Sequence, residues 1–163
     1  MPRLTFLSHL VICLAVASAA FFAAINGVPQ TIWTADLSRM TSVIAVIFVG
    51  AAIYLGWQAW LADDEHLKSD DAHSSVVSAP ASDFGHLAER LSVMAGFVGT
   101  AIGLSLQAQA LAGGATSFTA LATSLFTTAC GGVSAALLAV MTFNLEAGLR
   151  RARMAKRRVP NQT

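Results

Sequence analysis

The chain has 163 residues, of which 55% are hydrophobic and only 12% are charged, with a formal net charge of +1. Soluble domains carry about 25% charged residues, so this composition excludes a soluble enzyme, a nucleic-acid-binding module and a disordered chain. No Asp, Glu, Lys or Arg occurs in the three runs Leu4–Ala35, Met40–Ala62 and Leu91–Leu145. Because a charged side chain at mid-bilayer costs about 2.5–3.5 kcal/mol, runs of this length predict an integral membrane protein.

The first two charge-free runs each predict one membrane crossing. A helix needs about 20 apolar residues to cross a hydrocarbon core of roughly 30 Å, and residues 10–28 and 40–61 have that length. The first segment also fits a signal peptide, since Arg3 and an apolar run precede the A-x-A pattern at Ala17-Ser18-Ala19. We expect a retained helix, because the apolar stretch continues through Ile25.

An acidic cytoplasmic linker is expected at residues 62–88, between the second and third crossings. Seven of the nine acidic residues lie between Asp63 and Glu89, and a pattern of acidic residues followed by histidine occurs twice, at His66 and His73. Carboxylates and imidazoles can bind divalent metals. A solvated linker explains the same residues more simply, so we expect no metal site and no cofactor.

The third run is too long for a single crossing. At 1.5 Å per residue, its 55 residues would make a helix of about 82 Å, so the chain must turn back once. Gly113-Gly114 is the natural place for the turn, which gives crossings at residues 91–112 and 117–144. The sequence therefore predicts an all-α membrane protein, with four transmembrane helices in one domain (residues 1–163) and an overlong last helix.

The basic residues predict the orientation of the chain. Lys and Arg are enriched in cytoplasmic segments, and the tail at residues 145–163 contains Arg150, Arg151, Arg153, Lys156, Arg157 and Arg158. Both termini are therefore expected in the cytoplasm. The same six residues are expected to fix the topology and to attract anionic lipids, at about 1 kcal/mol each.

The third and fourth crossings each have a small, polar face at 100° per residue. On the third crossing this face holds Gly96, Thr100, Gly103 and Gln107, and on the fourth it holds Ser117, Ser124, Thr128, Gly131, Ala135 and Thr142. Two interpretations remain open, namely tight helix packing through small residues and a lumen filled by water or a partner. We expect the face of the fourth helix to find no partner within the chain, which favours a homo-oligomeric ring with the last two helices inside.

Two stretches on these helices form motifs. Residues Gly96–Gly103 read G-F-V-G-T-A-I-G, and residues Leu125–Ala136 contain T-A-C-G at Thr128–Gly131. In this order, with a short turn between them, they resemble the G-x-x-G-T-x-x-G stretch and the final helix of the MotA/TolQ/ExbB proton-channel family, over about residues 90–150. The chain departs from that family at Thr123, where ExbB-like members often carry Glu, and at Leu137, where the family has Pro. The short linker also argues against torque transfer to a flagellar rotor.

The resemblance implies a stator or channel subunit of an inner-membrane motor driven by the proton motive force. Family members form pentamers around the transmembrane helices of two partner subunits of the MotB/TolR/ExbD type, which carry the proton on a membrane aspartate. Thr100 and Thr128 match the family's pore-lining threonines. The other residues expected to line the pore are Gly103, Gln107, Ser124, Gly131 and Ala135, and the residues expected to pack helices are Gly96, Gly99 and Gly132.

The residues of the last two crossings agree with a proton carrier that belongs to a partner subunit. Intramembrane proton relays use Asp, Glu or His, and Leu91–Leu145 contains none of these, so the proton carrier has to come from a partner. Threonine hydroxyls could hydrogen-bond the ionised carboxylate of that partner. A non-conducting tetraspan scaffold remains the alternative, and no enzymatic activity is expected.

Overall fold

The computed structural model describes residues 4–27, 39–65, 79–114 and 118–158. These residues form the four helices α1 (Leu4–Ile25), α2 (Met40–Glu65), α3 (Ala79–Ala112) and α4 (Phe118–Arg158). Each helix contains a segment that is long and apolar enough to cross a membrane. The prediction of four spanning helices is therefore confirmed, and the chain is a multi-pass membrane protein. His66 and His73 of the linker lie outside the described residues.

The last two helices extend well beyond the charge-free run. α3 begins at Ala79, so residues 79–88 of the expected linker are helical. Pro80 is the second residue of α3, a position in the first turn where its missing N–H costs no helical hydrogen bond. α4 continues to Arg158 and includes most of the basic tail. At 1.5 Å per residue, α3 is about 51 Å long and α4 about 61 Å long, and both exceed the roughly 30 Å of hydrocarbon.

The helices run antiparallel, and their core lies toward one end of the bundle. At this end, which we call the terminal end, α1 and α3 begin and α2 and α4 end. The buried core residues of α2, α3 and α4 nearest to it include Leu55, Ala59, Ala88, Leu138, Met141 and Leu145. At the opposite end, the turn end, Gly114 has a φ of +78°, a left-handed conformation that glycine adopts without a steric penalty.

α1 is joined to the bundle by polar contacts near its first turns. The carboxylate of Asp63, at the end of α2, accepts a hydrogen bond from the backbone N–H of Phe6 at 2.8 Å, and Asp63 is only 8% exposed. The first N–H groups of a helix lack intrahelical partners and carry a partial positive charge. The Asp63 carboxylate supplies an acceptor for one of these groups and a negative charge beside them. Asn144 of α4 donates to the Ser8 hydroxyl at 2.8 Å. The turn-end half of α1 is exposed, including Phe21 and Phe22.

A buried histidine completes the attachment of α1. His9 is 5% exposed, and its Nε2 lies 3.0 Å from the backbone oxygen of Ala52 on α2. The imidazole lies against Gly56, where a Cβ atom would be 2.8 Å from Nε2. The absence of a side chain at residue 56 therefore makes the space that the imidazole occupies.

Candidate functional site at the crossing of α3 and α4

The backbones of α3 and α4 approach each other closely at two glycines. A Cβ atom at Gly131 would lie 2.7 Å from the Ser92 carbonyl oxygen and 2.9 Å from the Gly96 Cα. A Cβ atom at Gly96 would lie 3.3 Å from both the Gly131 Cα and the Thr127 oxygen. Small residues of this kind let two helix backbones approach closely in a membrane. The pair Gly96 and Gly131 therefore defines the crossing point of α3 and α4.

Two threonine hydroxyls meet one turn from this crossing, toward the turn end. The side-chain oxygens of Thr100 on α3 and Thr128 on α4 contact each other directly. The Thr100 hydroxyl also lies 3.0 Å from the backbone carbonyl oxygen of Gly96 and 3.1 Å from that of Ser124. The Thr128 hydroxyl lies 3.1 Å from the same backbone oxygen of Ser124. Both threonines remain partly exposed. The pair thus lies at one depth, with acceptors inside the chain and one side accessible from outside it.

The remaining small residues of the predicted pore are buried within the chain. Ser124 is 1% exposed and Ala135 is 5% exposed, and Gly103 and Gly131 are also buried. The expectation that the small face of α4 finds no partner in its own chain is therefore wrong. The small face of α3 covers it, because glycines on both helices bring the two backbones together.

Gly132 was expected to pack helices, but it does not do so within one chain. It is exposed, and a Cβ atom built there would meet no atom within 4 Å. The packing glycine is its neighbour Gly131, which was expected to line a pore. Adjacent residues project about 100° apart on a helix, so the two glycines face different surroundings.

Gln107 lies about two turns from Thr100 toward the turn end of α3. Its side chain is partly exposed, but its Oε1 atom is buried and has no hydrogen-bond partner among the described residues. The amide oxygen of Gln107 is therefore an acceptor that no described donor uses.

Sequence reasoning missed several buried polar residues of the bundle, among them Thr127, His9 and Asp63. Thr127 is fully buried and donates to the Ser124 oxygen at 2.8 Å, whereas its position on the helical wheel places it only beside the small face. His9 and Asp63 are buried between α1 and α2, and each contacts a residue that lies more than 40 positions away in the sequence. For His9 a signal did exist, because it is the only histidine in the run Leu4–Ala35, and intramembrane ionisable residues usually have a specific partner.

A cluster of charged side chains joins α3 to α4 at the terminal end. Glu146 of α4 binds His86 of α3 and Arg150 of its own helix, each at 3.3 Å, and the other imidazole nitrogen of His86 lies 3.5 Å from Glu89. Exposed pairs of this type contribute at most about 1 kcal/mol each. Arg150 and Arg151, which were expected to anchor the chain to lipid, are exposed, and the side chains beyond residue 151 lie outside the described part. Within that part, no group of acidic, His and Cys residues has an arrangement that could hold a metal ion.

No family model, curated protein or solved structure matches this chain. Membership of the MotA/TolQ/ExbB family therefore stays a prediction, based on the two helix motifs.

Proposed function

We propose that this chain is a channel-forming stator subunit of an ion-driven motor in a bacterial inner membrane. Several copies, five by the resemblance, would form a ring around the transmembrane helices of a dimeric MotB/TolR/ExbD-like partner. The observation that carries the proposal is the contact between Thr100 and Thr128, two partly exposed hydroxyls on helices whose segments within Leu91–Leu145 contain no Asp, Glu, His, Lys or Arg.

The chemistry of this pair suits the reception of a carboxylate from outside the chain. A buried ionised carboxylate needs hydrogen-bond donors, and each threonine hydroxyl carries one proton that can rotate between acceptors. In the chain alone, these protons are within reach of the Ser124 and Gly96 oxygens. A partner aspartate beside the pair would accept the same protons when ionised and would leave as a neutral acid when protonated.

The proposed orientation places the terminal end of the bundle in the cytoplasm. The basic residues Arg150 and Arg151 lie at that end of α4, as the enrichment of Lys and Arg on the cytoplasmic side requires. Trp57 and Trp60, near the same end of α2, have ring centroids 5.6 Å apart. Tryptophan is enriched at membrane interfaces, which supports a boundary at that level.

A second candidate function is a non-conducting tetraspan scaffold. The observation that favours it is that the hydroxyls of Thr100 and Thr128 already have acceptors within the chain. The close crossing at Gly96 and Gly131 is also sufficient to explain the small residues as packing residues.

Replacement of Thr128 by valine separates the two candidates. Thr128→Val keeps a β-branched side chain of similar shape and removes the hydroxyl, so ring assembly should persist. Loss of one hydrogen bond to a charged group in a buried site costs about 1–3 kcal/mol, so we expect proton flux in vesicles that contain the chain and its partner to fall by roughly five- to 150-fold. Ser18→Ala, which removes an exposed hydroxyl from α1, should leave the flux unchanged.

Two further results would decide against the motor subunit. A ring that collapses with Thr128→Val, while the remaining complexes conduct normally, would mean that the hydroxyl packs helices. Native mass spectrometry or electron cryo-microscopy that finds a stable monomer or an antiparallel dimer would refute the ring itself. A neighbouring gene for a single-span protein with Asp in its membrane helix would identify the partner to use in these experiments.

A further inference from the structure

A second glycine contact lies beside the threonine pair and brings three helices together. A Cβ atom at Gly99 would lie 2.8 Å from the Thr127 hydroxyl oxygen, 3.0 Å from the Thr127 Cβ and 3.1 Å from the Met40 Cβ. Thr127 is completely buried. The missing side chain at residue 99 thus leaves a gap on α3, which we call the Gly99 notch, and the side chain of Thr127 fills it.

The hydroxyl of Thr127 is used inside its own helix. It donates to the backbone carbonyl oxygen of Ser124 at 2.8 Å. The same backbone oxygen lies 3.1 Å from the hydroxyls of Thr100 and Thr128. Because Thr127 is buried and its proton has this acceptor, it offers nothing to a group outside the chain. Its contribution at this site is therefore its shape.

The glycines at the crossing point cannot set the axial register of the two helices by themselves. Gly96 and Gly131 bring the backbones close, but two surfaces without side chains can slide along each other. A side chain that projects from one helix into a gap on the other prevents this movement. Thr127 and the Gly99 notch are such a contact, and each is adjacent in sequence to one member of the threonine pair.

We propose that Thr127 is a positioning residue, which fills the Gly99 notch and thereby sets the register that brings Thr100 and Thr128 into contact. A slip of one residue would move α4 by about 1.5 Å along its axis and turn each side chain by about 100°, which separates the two hydroxyls. The consequence for ion conduction rests on the proposed function. The register itself is a property of the single chain and can be measured without a partner.

Disulfide formation between residues 100 and 128 measures this register. The variant Thr100→Cys/Thr128→Cys, in a background with both native cysteines replaced by alanine, should form a disulfide on oxidation in membranes, because the two side-chain oxygens are in contact and the bond demands a specific geometry. Mass spectrometry of the monomer band distinguishes this bond from one between two copies. Adding Gly99→Ala places a methyl group against Thr127, and we expect the yield to fall about tenfold.

A compensating variant tests whether the loss comes from this contact. Adding Thr127→Ala removes the hydroxyl that the new methyl group meets, and the methyl group at residue 99 then takes the place of the Thr127 side chain between the helices, so the yield should return to about half of the parent value or more. The remaining contacts with the Cβ atoms of residue 127 at 3.0 Å and of Met40 at 3.1 Å need only small shifts. Gly132→Ala, on a face with no atom within 4 Å, is the matched control and should leave the yield unchanged. Parental cross-linking in Gly99→Ala, or failure of Thr127→Ala to restore it, would overturn the proposal.

The remaining outcomes are also decisive. If the Gly99→Ala protein does not accumulate, the variant that also carries Thr127→Ala decides the question. Accumulation of that variant with the disulfide supports the proposed contact, and failure to accumulate or to form the disulfide overturns the proposal. Ion flux, measured with threonine retained at residues 100 and 128, should fall with Gly99→Ala and recover with Thr127→Ala. If cross-linking follows this pattern while no variant conducts, including the parent with its partner, the register stands and the proposed motor function fails.

Discussion

Adjacent glycines at residues 131 and 132 allow one substitution to be compared in two environments. Gly131→Ala and Gly132→Ala add the same methyl group at consecutive positions of the same helix, about 100° apart around its axis. At residue 131 the methyl carbon would meet backbone atoms of α3 at 2.7 and 2.9 Å, whereas at residue 132 it would meet nothing within 4 Å. We therefore expect Gly131→Ala to lower the free energy of unfolding and Gly132→Ala to leave it unchanged or raise it.

The magnitude follows from two opposing effects. Replacing glycine by alanine within a helix stabilises it by about 0.5–1 kcal/mol, and both variants gain this amount. The contacts at Gly131 are with backbone rather than with the flexible end of a side chain, so α3 and α4 must separate, and overpacking of this type costs about 1–3 kcal/mol. Because the gain is common to both variants, the expected difference between them is about 1–3 kcal/mol.

Unfolding of the purified monomer in detergent micelles measures this difference. The unfolding free energies of both variants and of the parent are compared from denaturant titrations monitored by circular dichroism. Equal stability of the two variants, or a lower stability of Gly132→Ala, would refute the crossing of α3 and α4 described above. Measuring the monomer matters, because Gly132 is exposed in one chain and a second copy could cover it.

Three other predictions concern the attachment of α1 and the topology. Asp63→Leu removes the acceptor at the first turn of α1 and should lower the unfolding free energy by about 0.5–2 kcal/mol, whereas Asp63→Asn keeps an acceptor oxygen and should lose less; equal losses in denaturant titrations would contradict the capping role. Gly56→Ala should destabilise the bundle by about 1–3 kcal/mol, since the methyl group meets the His9 imidazole, and His9→Ala should relieve part of that loss; no relief in the double variant would show that the contact is unimportant. In a background without native cysteines, Gly113→Cys should react with a membrane-impermeant reagent added outside the cell and Arg151→Cys should not; the reverse pattern would invert the orientation.

The number of spanning helices could be predicted because it depends only on the lengths of the charge-free runs along the sequence. Each charge-free run reflects the cost of placing a charge in hydrocarbon, and no knowledge of neighbours is needed. The helix ends could not be found in the same way. Residues 79–90 of α3 are helical although several of them are charged. A search for charge-free runs finds the membrane span and therefore misses this extension. Pro80 was the one local sign of a helix start.

The small faces of the last two helices could also be predicted, but what they contact could not. Helical periodicity groups Thr128 with Gly131, and it says nothing about whether that group faces a lumen, a partner or the preceding helix. The choice depends on backbone approach, which a single methyl group at residue 96 or 131 would prevent. The contacts of His9 with Ala52 and of Asp63 with Phe6 join residues 43 and 57 positions apart. A local sequence pattern does not predict contacts between residues this distant.

The extension of α3 and α4 beyond the membrane has a mechanical consequence. From the crossing at Gly131 to Arg158, α4 is an uninterrupted helix of about 40 Å, and a side-chain contact of 3.3 Å between Glu146 and His86 holds α3 beside its middle part. Because the buried core residues Leu138 and Leu145 also hold α4 in the bundle at this end, the helices would have to turn as one body, with a pivot at the level of the two crossing glycines. A rotation of about 5° at that pivot displaces the end of α4 by roughly 3.5 Å. In such a rotation, a sub-ångström adjustment beside the threonine pair would accompany a movement as large as the length of a hydrogen bond at the charged end of the protein.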